Sequence, residues 1–333
     1  MAAFIHMRSP FRFLFLLSAL MLAVAATAAA PTKVFTLPVD DEIGSTTWRI
    51  VKSGLAEARR CNADIVVVHL NTYGDEVGAA DSIRSALMRH PAPVVALGDK
   101  NAASAGALIA LACDTVYMVP GASMGAATVV NGADGTAMPD KYQSYMRAMM
   151  RSTAESHGRR LPPDPLAGEW RRDPVVAEAM VDSRVAIPGL IDSTKVLTFT
   201  SDEAIRHGYA EGMADDIPDM LSKLGIDDYS IERYEPAWID HLIGFLSNPA
   251  LKAVLISLIL IGIYWEVQIP GAGVPVTVSI LAAILYFLPL FLEGGAMSPW
   301  IIVLFAAGVA LIVLEVFVVP GFGVTGISGI LCV

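Results

Sequence analysis

The sequence is short of charged residues. Only 17% of its 333 residues are Asp, Glu, Lys or Arg, whereas a soluble globular domain carries about a quarter. Basic residues are the scarcer kind, 23 against 33 acidic ones, which gives a net charge of −10. Because nucleic acid is bound through a basic surface, this balance excludes it as a partner. With 54% hydrophobic residues, the chain is also unlike a purely soluble protein.

Cysteine is scarce as well, with three residues at Cys61, Cys113 and Cys332. No Cys and His residues have the spacing of a metal site, so we expect neither a metal nor another cofactor. In an oxidising compartment Cys61 and Cys113 can form a disulfide, and two buried free thiols are the alternative. Cys332 lies in an apolar tail.

The shortage of charge is concentrated towards the C-terminus. Four charged residues lie between Phe245 and Val333, while the rest of the chain has the roughly 21% of an ordinary soluble domain. Three apolar spans there end at helix breakers: residues 251–269, 274–292 and 299–319. Each is long enough to cross a ~30 Å hydrocarbon core. Another apolar run begins at Ile327, so we expect a truncated fourth span with a domain downstream. Residues 251–333 are thus predicted to form a multi-pass membrane domain.

The N-terminal residues 1–30 have the three parts of a secretory signal. Arg8 and Arg12 precede an apolar run at 13–26, and small residues follow up to Ala30. This order predicts a cleaved signal peptide, and an uncleaved anchor is the alternative. In both cases the domain that follows lies on the exported side, periplasmic or extracellular.

Residues 31–234 have the patterning of an α/β domain. Short apolar runs such as 64–70 and 93–98 alternate with amphipathic stretches such as 45–60 and 139–157. Strands separated by helices pair in parallel. Strands with near-continuous apolar residues belong to a sheet that is covered on both faces.

Two segments depart from this pattern. Residues 159–188 are rich in Pro and Arg, and we interpret them as a surface excursion around a short helix at 174–182. Residues 235–250 place Trp238 and Phe245 beside Asp240. This mixture predicts an amphipathic linker at the membrane surface.

Two motif matches are misleading. The run Gly121-Ala122-Ser123-Met124-Gly125 fits the G-x-S-x-G nucleophile motif, but the residues after it do not form the required helix. The run Gly321-Phe322-Gly323-Val324-Thr325-Gly326 fits G-x-G-x-x-G. It lies among membrane spans rather than in a βαβ unit, so it does not indicate dinucleotide binding.

Ser104 is the better candidate nucleophile. It follows the predicted strand at 93–98 and lies at the start of a predicted helix at 102–112, where the helix dipole favours an alkoxide or oxyanion. Its neighbours Ala102, Ala103, Ala105 and Gly106 leave room for a substrate backbone. The alternative is an ordinary structural role, because Ser is a common residue at helix N-termini.

Two further segments support a site at Ser104. Gly74 lies just beyond a strand, where ligands collect in open α/β sheets, and it can adopt a positive φ. Lys141 begins the long helix, ahead of Tyr142 and several Met residues. A lysine whose pKa is lowered by apolar surroundings can act as a base. A solvated lysine is the alternative.

The combination of Gly74, Ala103-Ser104-Ala105-Gly106 and the 120–126 loop resembles the Clp-protease/crotonase superfamily. With the signal, Pro139-Asp140-Lys141 and the membrane spans, the chain resembles the NfeD-type membrane serine proteases, the stomatin operon partner proteins. The resemblance implies a ClpP-like spiral α/β domain and a Ser-Lys endopeptidase. It also implies dimers or larger homo-oligomers, and a substrate taken from hydrophobic segments of a stomatin-like membrane protein.

The resemblance assigns roles to individual residues. Ser104 is the nucleophile and Lys141 the general base, and backbone amides at Gly74, Asp75 and Ala105 form the oxyanion hole. The substrate groove is lined by Gly121, Ser123 and Gly125. No cofactor is implied.

One motif departs from the family pattern, which has Pro-Gly-Gly where this chain has Tyr73-Gly74-Asp75. A carboxylate beside a developing oxyanion is repulsive unless it points away. A catalytically weak or inactive membrane scaffold that binds partner proteins is therefore the alternative function. Crotonase-like chemistry on acyl-CoA is a third, disfavoured because an exported domain has no access to that cofactor.

Overall fold

The computed structural model describes residues 30–40, 42–132, 134–269, 273–292, 303–308, 310–311, 314 and 328–329. The predicted signal peptide lies outside these residues except for its last position. Most of the third and fourth predicted spans, and Cys332, also lie outside them.

The described strands are β1 (Thr32–Val39), β2 (Ile65–Thr72), β3 (Val94–Ala103), β4 (Thr115–Met118), β5 (Ser123–Gly125), β6 (Thr198–Thr200), β7 (Gly212–Met213) and β8 (Tyr229–Arg233). The described helices of the α/β domain are α1 (Ser45–Arg60), α2 (Val77–Met88), α3 (Ala105–Ala112), α4 (Asp140–Ser156), α5 (Pro174–Ala179), α6 (Ser201–Arg206) and α7 (Ile217–Lys223). The C-terminal region contains α8 (Trp238–Ser247), α9 (Pro249–Gln268) and α10 (Val274–Leu292).

These strands form one sheet in the order β6-β5-β3-β2-β1-β8, with β4 and β7 joined to it through β3. The first half of β3 pairs with β4, and its last three residues pair with β5. The pairings are parallel except for that of β5 with β6. The predicted α/β class is confirmed, and β3 delivers the chain to Ser104.

Apolar side chains cover both faces of the sheet, as the continuous apolar strands predict. One face packs beneath α1, α2 and α3 with buried residues such as Leu37 and Val68. The other packs beneath α7 with Val67 and Met220. All eight residues of α3 are buried, since this helix is apolar around its whole circumference.

The interpretation of residues 159–188 as a surface excursion is wrong for its second half. Val176, Ala177 and Met180 are part of the main core, and Arg172 is completely buried. The guanidinium reaches the carbonyl oxygens of Leu111 at 2.9 Å and Cys113 at 2.7 Å. A charged residue suggests exposure, but Nη1 of this one donates to carbonyl groups at the C-terminal end of α3.

Cys61 and Cys113 are free thiols and do not form a disulfide; Cys113 is buried as expected, whereas Cys61 is half-buried. Each lies at the C-terminal end of a different helix, α1 and α3. Complete burial raises the pKa of Cys113 to about 12, so this thiol stays protonated.

The C-terminal helices are apolar, but the described part contains one clear candidate for a membrane span. It covers residues 249–266 of α9, with a mean hydropathy of 1.6. The apolar stretch of α10, Val274–Leu290, is shorter. The expected multi-span arrangement is therefore not confirmed.

Candidate active site

Ser104 lies in a tight turn between the end of β3 and the start of α3. Its backbone has φ 53° and ψ −118°, a conformation that costs a residue with a side chain about 1–3 kcal/mol. The turn is held because Ser104 N donates to Gly125 O at 2.8 Å and Ser104 O accepts from Ala107 N at 3.0 Å. The Ser104 hydroxyl makes no capping bond to α3. The ordinary N-cap role, with an extended backbone and a capping side chain, therefore does not explain this serine.

Gly74 approaches Ser104 so closely that no side chain fits between them. A Cβ added to Gly74 would lie 2.5 Å from Ser104 Cβ, 2.9 Å from Ser104 Oγ and 2.8 Å from Ala105 N. Gly74 also has the positive φ, +91°, that the sequence predicts. The missing side chain lets the Gly74 backbone lie directly against Ser104 and Ala105. All three residues line one cavity, in which a reacting carbonyl group can sit.

Two backbone amides at this cavity are available as donors. Gly74 N is occupied, because it donates to Thr72 Oγ1 at 3.1 Å. Asp75 N and Ala105 N have no acceptor among the described residues. Ala105 N belongs to the first turn of α3, where the helix dipole adds to its attraction for negative charge.

Backbone strain is concentrated around this site. Asp75, Ser104 and Ala126 have φ values of 151°, 53° and 50°. Within the described residues, Asn62 is the one other non-glycine residue with a positive φ. All three strained residues line the same cavity, and strain of this kind is typical of functional sites.

The cavity beside Ser104 has a volume of about 690 Å³ and a mainly apolar wall of small residues. Tyr73 and Val130 line it and are 76% and 50% exposed. Its ionisable lining residues in the described chain are Glu42, Tyr73 and Asp75. The shape and lining suit an extended apolar segment rather than a charged one.

Lys141 is not among the residues that line this cavity. It is exposed at the start of α4, with Nζ 4.8 Å from the centroid of the Tyr142 ring. The Met residues expected to surround it lie instead on the buried side of α4, where Met146 borders the cavity. The structure therefore does not bring the Lys141 side chain to Ser104.

The predicted groove residues belong to the strand next to Ser104. Ser123 and Gly125 are the ends of β5, and Gly121 lies in the turn before it. Ser123 Oγ donates to Asn101 Oδ1 at 3.4 Å. The cavity wall is formed by residues 126–130, just after the predicted set. Gly74, Asp75, Ser104 and Ala105 do line the cavity, whereas Gly121, Ser123 and Gly125 do not.

Comparison with known families assigns both halves of the chain. Residues 33–234 match the NfeD1b N-terminal domain, and residues 250–333 match the NfeD integral membrane domain. The chain belongs to the NfeD family. Its C-terminal region is therefore the membrane domain of that family.

Two relatives in the NfeD family align with almost the whole chain. Membrane protein NfeD1b of Bacillus subtilis (strain 168) is 33% identical over 318 residues, which are 95% of this chain and 69% of that protein. Membrane-bound protease PH1510 of Pyrococcus horikoshii is 24% identical over 93% of this chain and 69% of its own length.

Solved structures share the fold of the α/β domain. The 1510-N membrane-bound stomatin-specific protease, as a serine-to-alanine mutant, has a TM-score of 0.52 and 23% identity. It covers 63% of this chain and 100% of that structure. A lysine-to-alanine mutant in complex with a substrate peptide has a TM-score of 0.53 and 24% identity, over 66% of this chain and 99% of that structure.

Sequence reasoning missed several residues that shape the site. Thr72 Oγ1 occupies the amide of Gly74, and Glu42 contributes a second carboxylate to the cavity. Ala126 has a strained φ of 50°, which an alanine in the sequence does not indicate. Thr72 directly precedes the Tyr73-Gly74-Asp75 turn, so its position was the one available signal.

Proposed function

We propose that this NfeD-family protein is a membrane-anchored serine endopeptidase with a Ser104-Lys141 dyad. The observation that carries the proposal is the cavity that Gly74, Ser104 and Ala105 line together, with Ser104 in a strained conformation and its hydroxyl not used as a helix cap. A peptide carbonyl placed there lies beside the hydroxyl of Ser104, which caps no helix, and beside the backbone amide of Ala105. The fold shared with a protease domain agrees with this chemistry, but a fold alone does not establish a function.

The proposed reaction follows from the groups around that cavity. Ser104 Oγ attacks the peptide carbonyl carbon, and Lys141 Nζ takes the hydroxyl proton. The amides of Asp75 and Ala105 bind the resulting oxyanion. Lys141 then returns the proton to the leaving amine, and water hydrolyses the ester on Ser104. Because Gly74 N is bonded to Thr72, the residue that supplies the amide at this turn is Asp75.

Assembly of the dyad requires the Lys141 side chain to turn from Tyr142 towards the cavity. Both flanks of Lys141 already border it, since Met138 and Met146 are in the cavity wall. We infer that substrate lies along the segment that runs from Gly121 through β5 to the cavity wall at residues 126–130. Gly125 cannot carry a side chain there, because a Cβ would lie 2.5 Å from Leu197 O.

The expected substrate is an apolar segment of a membrane-associated protein. The cavity wall is mainly apolar, and a catalytic domain joined to a membrane domain meets segments close to the bilayer first. A relative is a stomatin-specific protease, so a stomatin-like protein is the partner we propose. We also propose that the catalytic domain lies on the exported side, as the signal-like N-terminus implies, and that it forms a homo-oligomer, as the family resemblance implies.

The test is cleavage of apolar peptides by the purified full chain in detergent. Ser104→Ala is expected to abolish cleavage, because it removes the nucleophile. Ser152→Ala is the matched control, since it removes an exposed hydroxyl from α4 outside the cavity. Equal cleavage by Ser104→Ala and wild type contradicts the assignment.

A binding scaffold without proteolysis is the second candidate, and two observations favour it. Lys141 is outside the cavity, and the carboxylate-bearing residue Asp75 lines it. On this alternative, wild type and Ser104→Ala bind apolar peptides with the same affinity and neither cleaves them.

A further inference from the structure

Helix α8 lies in the 15 residues, 235–249, that separate the two matched NfeD domains. A single residue, Asn248, separates it from α9. The Asn248 side chain accepts from Ala250 N at 2.9 Å and Leu251 N at 3.3 Å, which fixes the first turn of α9. Any movement of α9 at its first turn is therefore passed directly to α8.

The opposite side of α8 is clamped to the start of α1. Gly244 packs against Thr46 so tightly that a Cβ on Gly244 would overlap the Thr46 backbone. Ser45 Oγ donates to Gly244 O at 2.8 Å. These contacts hold the C-terminal half of α8 against the first two residues of α1.

A buried carboxylate completes the clamp. Asp240 of α8 is 5% exposed and accepts from Arg49 Nε at 3.1 Å and Tyr234 OH at 3.0 Å. Removal of a buried carboxylate that holds several donors leaves those donors unpaired. The contact between α8 and α1 therefore has one preferred arrangement.

The residue just ahead of α1 holds the loop that carries Asp75. Ile43 is completely buried; its N donates to Gly74 O at 3.1 Å and its O accepts from Glu76 N at 2.8 Å. The two bonds flank Asp75 on either side and support its unfavourable φ of 151°. Thr47 Oγ1 donates to Glu42 O at 2.5 Å, which ties this segment to the first turn of α1.

We propose that α8 is a positioning element which sets the direction of the Asp75 amide through Ser45, Ile43 and the Gly74–Glu76 backbone. Gly244 and Asp240 are then positioning residues for the reaction at Ser104, although neither touches substrate. The expected effect on catalysis rests on the proposed function. The expected effect on the loop that carries Asp75 rests on the hydrogen bonds alone. It connects the arrangement of the first membrane helix to the activity of the exported site.

The test compares Gly244→Ala with His241→Ala in the full chain. The first displaces α8 from Thr46, and the second removes an exposed side chain from the same helix. For Gly244→Ala we expect kcat to fall about tenfold, part of the effect of losing one oxyanion donor, with KM within about twofold. His241→Ala should match wild type in both. Ser45→Ala, which removes one hydrogen bond, should lower kcat less.

Hydrogen exchange separates this proposal from the proposed function. The Glu76 amide, bonded to Ile43 O, should exchange about tenfold faster in Gly244→Ala, while amides of the buried helix α3 keep the wild-type rate. An unchanged Glu76 rate overturns the proposal, as does a faster rate with unchanged kcat. If wild type cleaves nothing, the proposed function fails and the Glu76 rate alone decides whether α8 holds the loop.

Discussion

At the scale of single residues, the candidate site depends on Ser104 and Gly74 in unfavourable or unusual backbone conformations. Ser104 has φ 53° without using its hydroxyl as a helix cap. Gly74 has φ +91° and leaves its side-chain position empty beside that hydroxyl. Residues held in such conformations persist only when the surrounding structure fixes them. Here the carbonyl oxygen of Gly125 and the bonds of Ile43 provide that support.

Gly74→Ala should abolish catalysis without unfolding the protein. The added methyl group would lie 2.5 Å from Ser104 Cβ and 2.8 Å from Ala105 N, so it must displace the nucleophile and an oxyanion amide from their positions beside the cavity. We expect kcat to fall by at least about 100-fold, comparable to the loss of an oxyanion donor. Gly78→Ala is the control, since its nearest contact would be Glu76 Oε1 at 3.5 Å. Wild-type turnover in Gly74→Ala would place the reacting carbonyl elsewhere.

At the scale of elements, the sequence predicted most of the α/β domain. The predicted helix at 45–60 matches α1 residue for residue, because its buried positions recur at helical spacing. The short strand β5 has a Ser-Met-Gly sequence and was not predicted. It forms because it pairs with β3 and β6, a tertiary effect that local patterns do not contain.

The largest difference concerns the start of α3. The predicted helix begins at Ala102, but β3 continues to Ala103 and α3 begins at Ala105. Alanine favours helix, and the pairing of Ala102 and Ala103 with β5 overrides that preference. The chain must therefore turn within Ser104. Ser104 could be predicted from the sequence as the candidate nucleophile, whereas its strained backbone conformation could not.

The contact between the C-terminal ends of α3 and α4 predicts how the stability of the folded protein depends on pH. His157, at the C-terminal end of α4, has Nε2 2.7 Å from Leu111 O and 2.9 Å from Arg172 Nη1. Burial, and then the charge of Arg172, lower its pKa to about 4. The folded protein therefore keeps His157 neutral, while the unfolded chain binds a proton near pH 6.5. Its contribution to stability is present above pH 6.5 and is lost as the pH falls towards 4.

His157→Gln should flatten this part of the pH profile, because an amide can donate to Leu111 O and does not titrate. Partial exposure reduces the effect to about 1–2 kcal/mol across the window. The measurement is the free energy of unfolding of the full chain in detergent between pH 7 and 4. His241→Gln, on the exposed side of α8, should keep the wild-type slope. Identical slopes in all three proteins would contradict a neutral buried His157.

At the scale of the whole molecule, the two NfeD domains are joined through α8 rather than by a free linker. The sequence predicted an amphipathic segment at 235–250 because Trp238 and Phe245 lie beside polar residues. Both side chains are exposed, while Asp240 and Gly244 face α1. The placement of the exposed side at the membrane surface stays a prediction. The clamp to α1 depends on contacts about 190 residues apart in sequence, so no local pattern indicates it.

The position of the Lys141 side chain determines whether the proposed dyad can form. The sequence placed it near the start of a long helix, and α4 does begin at Asp140. Its side chain is exposed and outside the cavity. A dyad therefore requires a rearrangement, for which substrate binding or association with a second copy can supply the free energy.

The central claim is that Ser104 is a nucleophile, and covalent labelling tests it most directly. The full chain in detergent is treated with a fluorophosphonate, and the modified residue is located by peptide mass spectrometry. We expect one adduct, on Ser104, that is absent in Ser104→Ala and retained in Ser152→Ala, whose exposed hydroxyl lies outside the cavity. No adduct on Ser104 of a folded protein, or equal labelling of Ser104→Ala, would contradict the account.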